Sequence, residues 1–577
     1  MKASQRFLTF TIASLCAFYF TQSASGKVVY VSSNATGDGS GSSWENACRS
    51  ISAALKASML DDEIWVASGR YREAIQMKEG VALYGGFSGV EANRDLRDWE
   101  TNATIIDAPK SVGTKRPAVT GANDATLDGF TITGGERSGV HCYRSSPTLV
   151  NCTISGNTGS DGGGVSCYQS SLSLTNCTIS GNAASYGGGV HCGSQSSPTL
   201  ANCRIAGNTA SNGGGVYCQQ SYLSLTNCTI IENRVSGLGG GVYCNQSSPL
   251  LTGCTIGDNS ASLDGGGIYC ISQSSPVLVS CMISGNTAAD GGGMSCKSRS
   301  SPTLAYCTIS GNQGGGVSGD SQSSPTFINC ILWNRGIEIE GIANVKYSCI
   351  QGGWPGDGNI RAYPEFVDPT SGDYHLQNGS PCIDRGLVLP VFNQDSEGRS
   401  RPGSDGLADM GAYESPPDYE PAESPSPRIV YVHSNAADGG DGLSWERAFR
   451  TIGDALFVGD EIRVAGGTYC ESVLLEEGVA VYGGFSGTEE TREGRNWVTN
   501  ETTIDATGLS DATIICANDT ILDGFTITGG GKSGVYCNGL STSLRNCTIV
   551  GNTAKYGGGI YCSQSSPTLT NCTIVGN

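Results

Sequence analysis

The sequence predicts an all-β fold, a right-handed parallel β-helix in which one chain winds as a solenoid with three strands per coil, in two tandem modules. One phrase, GGGVYC followed by SSPTLTNCTISGN, recurs from residue 140 onward. Its period is 25 or 26 residues, which lies in the range of stacked-repeat folds. Each period holds three short segments of alternating apolar and polar residues, and no segment has helical periodicity.

Two series of cysteines carry the period. Members of each series are 25 to 27 residues apart. The first series comprises Cys142, Cys167, Cys192, Cys218, Cys244, Cys270 and Cys296. The second comprises Cys152, Cys177, Cys203, Cys228, Cys254, Cys281 and Cys307.

Three strands and three turns are predicted in each coil. The strands are Val-Tyr-Cys, Thr-Leu-Thr and Cys-Thr-Ile, and the segments Gly-Gly-Gly, Ser-Ser-Pro and Asn between them are turn formers. The asparagine before the second cysteine tolerates a left-handed conformation, so we expect a tight bend at Asn151, Asn176, Asn202 and Asn227.

Of the 25 cysteines, Cys16 belongs to the predicted leader and the others are expected in the core. Equivalent residues of adjacent strands lie about 4.8 Å apart, so the cysteines form ladders. The second module has Phe449 in place of Cys48, and the first has Arg72 and Gly121 in place of Cys470 and Cys516. Obligatory disulfides at those three cysteines are therefore not expected, and we predict a mostly reduced ladder with some bridges.

The chain divides into five segments. Residues 1–25 read as a signal peptide, with basic Lys2 and Arg6 before a short apolar run. Residues 26–346 form the first module, with 27–139 as cap and first coils and 140–334 as regular coils. Residues 347–414 are irregular, and 415–427 are a linker rich in proline and acid. Residues 428–577 repeat the opening of the first module, and the sequence ends inside a coil phrase, so we expect an incomplete reading frame.

Charge and export restrict the partners. The net charge of −19 repels phosphate and anionic lipid, so nucleic acid and membrane surfaces are not expected partners. No segment after the leader is long and apolar enough for a transmembrane helix. The sequence therefore predicts a secreted, extracellular or cell-surface protein, monomeric, with polysaccharide or a surface protein as its partner.

Two aspartates share one position in adjacent coils. Asp264 and Asp290 each precede Gly-Gly-Gly, so they are expected about 4.8 Å apart. Such a pair could bind calcium, the one cofactor considered, or raise one pKa. Lys297 follows one strand later as a candidate proton-abstracting base. The alternative is two solvated turn aspartates without a catalytic role.

The outward position of the first strand carries rings. Tyr217, Tyr243 and Tyr269 occupy it in consecutive coils, and His141 and His191 occupy it earlier. An exposed tyrosine stripe would let sugar rings stack on it. The alternative is a ladder that shields the sheet through stacking between neighbours. Both histidines are expected at the surface.

These motifs resemble a known group of proteins. The YGGFSG loop and the Gly-Asn and Gly-Gly-Gly coils are similar to bacterial exported right-handed β-helix repeat proteins of the pectate-lyase-like superfamily. The coils also resemble passenger repeats of chlamydial polymorphic outer-membrane proteins. SPCIDRG and DMGAYE, within residues 373–414, resemble the choice-of-anchor-Q segment. The resemblance implies fold and surface export, whereas the superfamily hosts lyases, hydrolases and adhesins alike.

Three functions remain open from the sequence. The first is an adhesin-like or polysaccharide-binding protein that uses a lateral face, with Tyr217, Tyr243, Tyr269 and His191 as binding residues. The second is a polysaccharide-active enzyme, a lyase or glycoside hydrolase, with Asp264, Asp290 and Lys297 as catalytic residues. The third is a structural surface spacer. Regular coils argue against catalysis, because active sites interrupt repeats.

Overall fold

A computed structural model describes residues 26–389, 392–421, 428–437, 440, 442–456 and 459–577. The predicted signal peptide and residues 422–427 of the predicted linker lie outside the described residues.

The prediction of a right-handed parallel β-helix is confirmed. Successive coils of residues 28–350 stack in three parallel sheets, and each regular repeat contributes one strand to each sheet. We name the sheets by their repeat segments. The Thr-Leu-Thr sheet has the strands Val28–Val31, Glu63–Ala67, Ala82–Phe87, Thr126–Asp128, Thr148–Val150, Ser173–Thr175, Thr199–Ala201, Ser224–Thr226, Leu250–Thr252, Val277–Val279, Thr303–Ala305, Thr326–Ile328 and Asn344–Lys346. The Cys-Thr-Ile sheet has the strands Gly69–Tyr71, Thr104–Asp107, Phe130–Thr133, Thr153–Ser155, Thr178–Ser180, Arg204–Ala206, Thr229–Ile231, Thr255–Gly257, Met282–Ser284, Thr308–Gln313, Ile331–Arg335 and Cys349–Ile350. The Val-Tyr-Cys sheet has the strands Ile75–Gln76, Val119–Thr120, Val140–Tyr143, Val165–Tyr168, Val190–Gly193, Val216–Gln219, Val242–Asn245, Ile268–Ile271, Met294–Cys296, Val317–Gly319 and Ile339–Glu340.

The second module repeats this arrangement from residue 429 onward. One sheet has the strands Ile429–Val432, Glu461–Ala465, Ala480–Phe485, Thr520–Asp523, Thr542–Arg545 and Thr568–Thr570. A second has the strands Gly467–Tyr469, Thr502–Asp505, Thr526–Thr528, Thr548–Val550 and Thr573–Val575. The third has the strands Val473–Leu474, Ile514–Ile515, Val535–Asn538 and Ile560–Ser563. The smaller strands are Thr209–Ala210, Arg234–Val235 and Ser260–Ala261, which pair in parallel, and Phe366–Asp368 and Asp373–Leu376, which pair antiparallel.

A short helix lies at the start of each module, at Ile51–Ala57 and Ile452–Leu456, and 3₁₀ turns lie at Arg94–Leu96 and Arg492–Gly494. Ser50 caps the first helix by accepting a hydrogen bond from the Ala53 amide. The Glu73 carboxylate accepts from the amides of Ile51 and Ser52 in the same turn, at 2.7 and 3.0 Å. The helix buries its apolar face on the core, and so covers the first coil against edge pairing.

The core consists of aligned ladders of like residues. Leu149 lies opposite Leu174, Ile154 opposite Ile179, and Cys142 opposite Cys167, and this register continues through the regular coils. The regular-coil cysteines are at most 2% exposed. A neighbouring thiol and burial raise the pKa of Cys167 well above its ordinary value, so the thiol is protonated.

The structure joins one pair of cysteines, Cys516 and Cys537, whose Cα atoms are 5.2 Å apart. The other described cysteines are free thiols. The described cysteines therefore form a mostly reduced ladder with one disulfide. The bridged Cys516 is one of the three cysteines at which no obligatory bridge was expected, because the first module has Gly121 there.

Asparagine has two roles in each coil. The asparagines before the second cysteine are left-handed, with φ of 50° to 53° at Asn151, Asn176, Asn202 and Asn227, as predicted. The asparagine of the Gly-Asn pair is buried, and its Nδ2 donates to Oδ1 of the equivalent asparagine in the next coil. This buried ladder runs through Asn157, Asn182, Asn208, Asn233, Asn259, Asn286, Asn312 and Asn334. It ends at Glu338, whose carboxylate accepts from both the amide and Nδ2 of Asn334.

The irregular residues after the coils fold back onto the outside of the first module. Phe366, Tyr374 and Met410 pack against Met282 and Ile331 of the Cys-Thr-Ile sheet. We call residues 363–414 the covering segment.

A buried ionic contact fixes the covering segment. Arg401 pairs with Glu414 at 2.7 Å and lies over the ring of Tyr306, with its guanidinium carbon 4.2 Å from the ring centroid. The Tyr306 hydroxyl donates to the Leu387 carbonyl at 2.7 Å. These contacts join the segment to the bend between the Thr-Leu-Thr and Cys-Thr-Ile sheets.

None of the helices in the described ranges has the length and apolar character needed to span a bilayer.

Candidate functional site on the Val-Tyr-Cys sheet

The three sheets differ in the side chains that they point outward. In the regular coils, the Thr-Leu-Thr and Cys-Thr-Ile strands point mainly threonine, serine and small apolar residues outward; Arg204 and Trp333 are the ionisable and aromatic exceptions. The Val-Tyr-Cys strands point rings, hydroxyls and amides outward, and the charged residues Asp264, Asp290 and Lys297 lie in the turns beside these strands. We call this surface the outer strip. Its central column is His141, Ser166, His191, Tyr217, Tyr243, Tyr269, Ser295 and Ser318, and its flanks include Tyr168, Gln219, Asn245, Lys297, Asp264 and Asp290.

The rings of the central column stack on one another. His191 and Tyr217 are 5.3 Å apart between ring centroids with planes 7° apart, and Tyr217 and Tyr243 are 4.6 Å and 9° apart. Tyr243 and Tyr269 follow at 5.2 Å and 31°. The spacing of parallel strands is close to the spacing of stacked rings, so the backbone register produces the stack.

The predicted exposed tyrosine stripe is wrong. Tyr217, Tyr243 and Tyr269 are 6%, 8% and 5% exposed. Each ring face is covered by the next ring, and Leu238 and Ile271 pack against the stack. The glycine turn before the strand also lies close to the base of the tyrosine side chain, because a Cβ on Gly213 would meet the Tyr217 Cβ at 2.8 Å. These three tyrosines therefore offer a sugar ring no free face to stack on, and they form the shielding ladder.

The two histidines are also buried rather than at the surface. His141 is 7% exposed and His191 is 3% exposed, because they stand in the same packed column. Burial lowers the pKa of both to about 4, so both rings are neutral near pH 7. Their Nδ1 atoms, and the Oγ of Ser295 in the same column, are buried without a hydrogen-bond partner. Such groups normally find a protein, water or ligand partner.

Amides form the accessible part of the strip beside the rings. Gln219 is exposed and Asn245 is half-buried, and they occupy paired positions on adjacent strands. In the next turn the Gln220 side chain donates to the Gln246 side chain at 2.7 Å. These groups offer both donors and acceptors to a ligand along the strip.

The expected adjacency of Asp264 and Asp290 is confirmed. The two residues pair across neighbouring coils, and the Gly265 amide donates to the Asp290 carbonyl at 3.0 Å. Burial raises the pKa of Asp264. The positive charge of Lys297 lowers this pKa, and the negative charge of Asp290 raises it.

Lys297 is an ion-pair partner in this structure. Its Nζ lies 3.1 Å from Asp290 Oδ2. Burial lowers the pKa of Lys297, but the hydrogen bond and charge of Asp290, with Asp264 and Glu340, outweigh burial and the net shift is upward. The amine is therefore cationic at neutral pH, which is the wrong state for a base. Among the described residues, no group of three or more histidine, cysteine, aspartate or glutamate side chains is placed to hold a metal ion.

Sequence reasoning missed Ser318 and Glu340. Ser318 Oγ lies 2.8 Å from Asp290 Oδ2 and 3.3 Å from Glu340 Oε2. Ser295 pairs with Ser318, which lies 23 residues later, and Ser318 pairs with Glu340, which lies a further 22 residues along the chain. The coils shorten there, so the repeat period does not carry the phase to these two residues.

Two family models match the chain. Residues 118–276 and 235–352 match the family described as right handed beta helix region. Residues 435–577 match DUF1565, described as a protein of unknown function. A comparison with curated proteins finds no match.

The chain is similar to solved structures of a pectate lyase, of a xylose complex and of a pectin methylesterase. Pectate lyase Pel9A is 16% identical with a TM-score of 0.45, over 68% of this chain and 97% of that chain. XylC in complex with xylose is 10% identical with a TM-score of 0.39, over 67% and 98%. The pectin methylesterase from Aspergillus niger is 16% identical with a TM-score of 0.28, over 52% and 87%.

Proposed function

We propose that the protein is exported and binds polysaccharide along the outer strip, as an adhesin-like protein of the extracellular space or cell surface. The observation that carries the proposal is the concentration of ring, amide and ionisable side chains on the outward face of one sheet out of three. A spacer would need no such difference between its faces.

The strip has the shape that an extended ligand needs. Its central column occupies eight successive strands from His141 to Ser318, which corresponds to roughly 34 Å at the spacing of parallel strands. The side chains are held in register by the backbone and by ring stacking, so binding costs little side-chain entropy. The covering segment packs on the Cys-Thr-Ile side, which is a different face.

Binding at the strip would use polar groups and ring edges rather than ring faces. The amides of Gln219 and Asn245 lie beside the ring stack, and the tyrosines contribute hydroxyl groups at its margin. This arrangement supports recognition of sugar hydroxyls by hydrogen bonds.

A glycan array probed with the full chain tests the proposal. The matched variant replaces Tyr217, Tyr243 and Tyr269 by phenylalanine, which keeps the stack and removes three hydroxyls. Tyr222→Phe, at a tyrosine that is 70% exposed and outside the strip, is the control. We expect a bound glycan whose affinity falls at least tenfold in the triple variant and is unchanged in the control. Absence of binding to any glycan, or equal loss in both variants, would overturn the proposal.

A further inference from the structure

We propose that the end of the outer strip at Asp264, Asp290, Lys297, Ser318 and Glu340, which we call the acidic end, binds the ammonium group of an amino sugar. This inference rests on the proposed function and names the class of its ligand, a polysaccharide with free amino groups.

The acidic end is short of hydrogen-bond donors. Lys297 Nζ donates to Asp290 Oδ2 at 3.1 Å and to Ser318 Oγ at 3.3 Å. The one hydroxyl proton of Ser318 faces both the Asp290 and the Glu340 carboxylates, and can serve one of them at a time. Glu340 is exposed, so the carboxylate that Ser318 does not serve takes its donor from water or from a ligand. An ammonium group supplies three N–H donors and a positive charge.

Charge favours a cation at this point of the strip. The charges of Asp264, Asp290 and Glu340 all act on Lys297, which is the one cationic side chain in the acidic end. Three carboxylates against one ammonium leave an excess of negative charge, even with the Asp264 pKa raised. A uronic acid would add a further carboxylate to this excess, whereas an amino sugar would reduce it.

A second observation, independent of the carboxylates, points to a ligand here. Ser295 lies on the adjoining strand, in register between Tyr269 and Ser318, and is therefore the direct neighbour of one residue of the acidic end. Its side chain is fully buried, and its Oγ has no hydrogen-bond partner. A hydroxyl both donates and accepts, so it can pair with an amine or a hydroxyl of a bound sugar.

The ring stack positions the ligand with respect to the acidic end. Tyr269 is the last tyrosine of the stack and is directly paired with Ser295. A chain that runs along the amides beside the tyrosines therefore reaches the acidic end at its next units. The amides contribute to affinity for any neutral sugar, and the acidic end discriminates between an amine, an acetylated amine and a carboxylate.

The test is isothermal titration of the full chain with three probes at pH 6: the glucosamine hexamer, the N-acetylglucosamine hexamer and the galacturonic acid hexamer. We expect the glucosamine hexamer to bind at least tenfold more tightly than the acetylated hexamer, with an advantage that shrinks as salt is added. The double variant Asp290→Asn and Glu340→Gln should remove this advantage. The exposed Glu79→Gln is the control and should change neither affinity. Thermal unfolding of each variant checks that it is folded.

The outcomes separate this inference from the proposed function. Equal affinities for the glucosamine and acetylated hexamers, or tighter binding of the galacturonic acid hexamer, would overturn the amino-sugar inference alone, provided that the triple tyrosine variant still weakens binding. If none of the three hexamers binds and the glycan array is also negative, the proposed function fails and this inference fails with it.

Discussion

Tyr217 and Tyr243 lie face to face on neighbouring coils, with ring centroids 4.6 Å apart and ring planes 9° apart. The stack covers the faces on which a sugar would otherwise rest, and leaves the hydroxyl groups and the neighbouring amides for a ligand. The tyrosines therefore act first as structural residues, and this has a direct consequence for stability.

Tyr243→Ala should destabilise the first module by about 3 kcal/mol, because it opens a cavity between two stacked rings. Tyr243→Phe should cost less than about 1 kcal/mol, because the ring stays and only the hydroxyl is lost. Equilibrium denaturation of both variants measures the difference. Equal losses in the two variants would show that the hydroxyl, and not the stack, provides the stability.

Glu338 should make the stability of the fold depend on pH. Burial raises its pKa from 4.5 to about 8. Between these pH values the folded state keeps a proton that the unfolded state has released, so the free energy of unfolding falls as pH rises from about 4.5 to 8. Glu338→Gln should remove this part of the pH dependence and stabilise the chain above pH 8, whereas the exposed Glu79→Gln should not. Equilibrium denaturation of the wild type and of Glu338→Gln across this pH range measures the effect. If the stability of the wild type rises with pH in parallel with that of Glu338→Gln, the raised pKa of Glu338 is contradicted.

The Arg401–Glu414 pair should hold the covering segment. Both side chains are buried, so Arg401→Ala leaves an unpaired carboxylate and should cost roughly 3 kcal/mol. Limited proteolysis should then cut within residues 363–414 while the regular coils persist. Cleavage of the coils at the same rate as the segment would show that the pair stabilises the solenoid as a whole.

The chain should not cleave acidic polysaccharides by β-elimination. Asp290 keeps Lys297 cationic, so the lysine is not available to remove a proton. Incubation of the full chain with pectate and alginate, with and without calcium, should yield no unsaturated sugars. Their appearance, and its loss in Lys297→Met, would restore Lys297 as a catalytic base.

The repeat predicted the fold well because its period and its alternation report backbone geometry directly. Counting by the repeat period also predicted that Asp264 lies beside Asp290 and that Tyr217 lies beside Tyr243. Burial of the tyrosines did not follow, because it depends on how the rings stack on one another and on Leu238, which one repeat alone contributes. Ser318 and Glu340 lie after the shortened coils, so counting by the period does not place them beside Asp290.

The central claim is that polysaccharide binds along the outer strip, and large side chains placed on two faces test it most directly. Gln219→Arg with Asn245→Arg puts bulk and charge on the strip. Thr178→Arg with Thr229→Arg does the same on the Cys-Thr-Ile face, where Arg204 already stands between them. Measured by glycan array and titration on the full chain, the strip variant should lose at least tenfold in affinity, and the Cys-Thr-Ile variant should match the wild type. Unchanged binding by the strip variant, or a loss confined to the Cys-Thr-Ile variant, would contradict the claim.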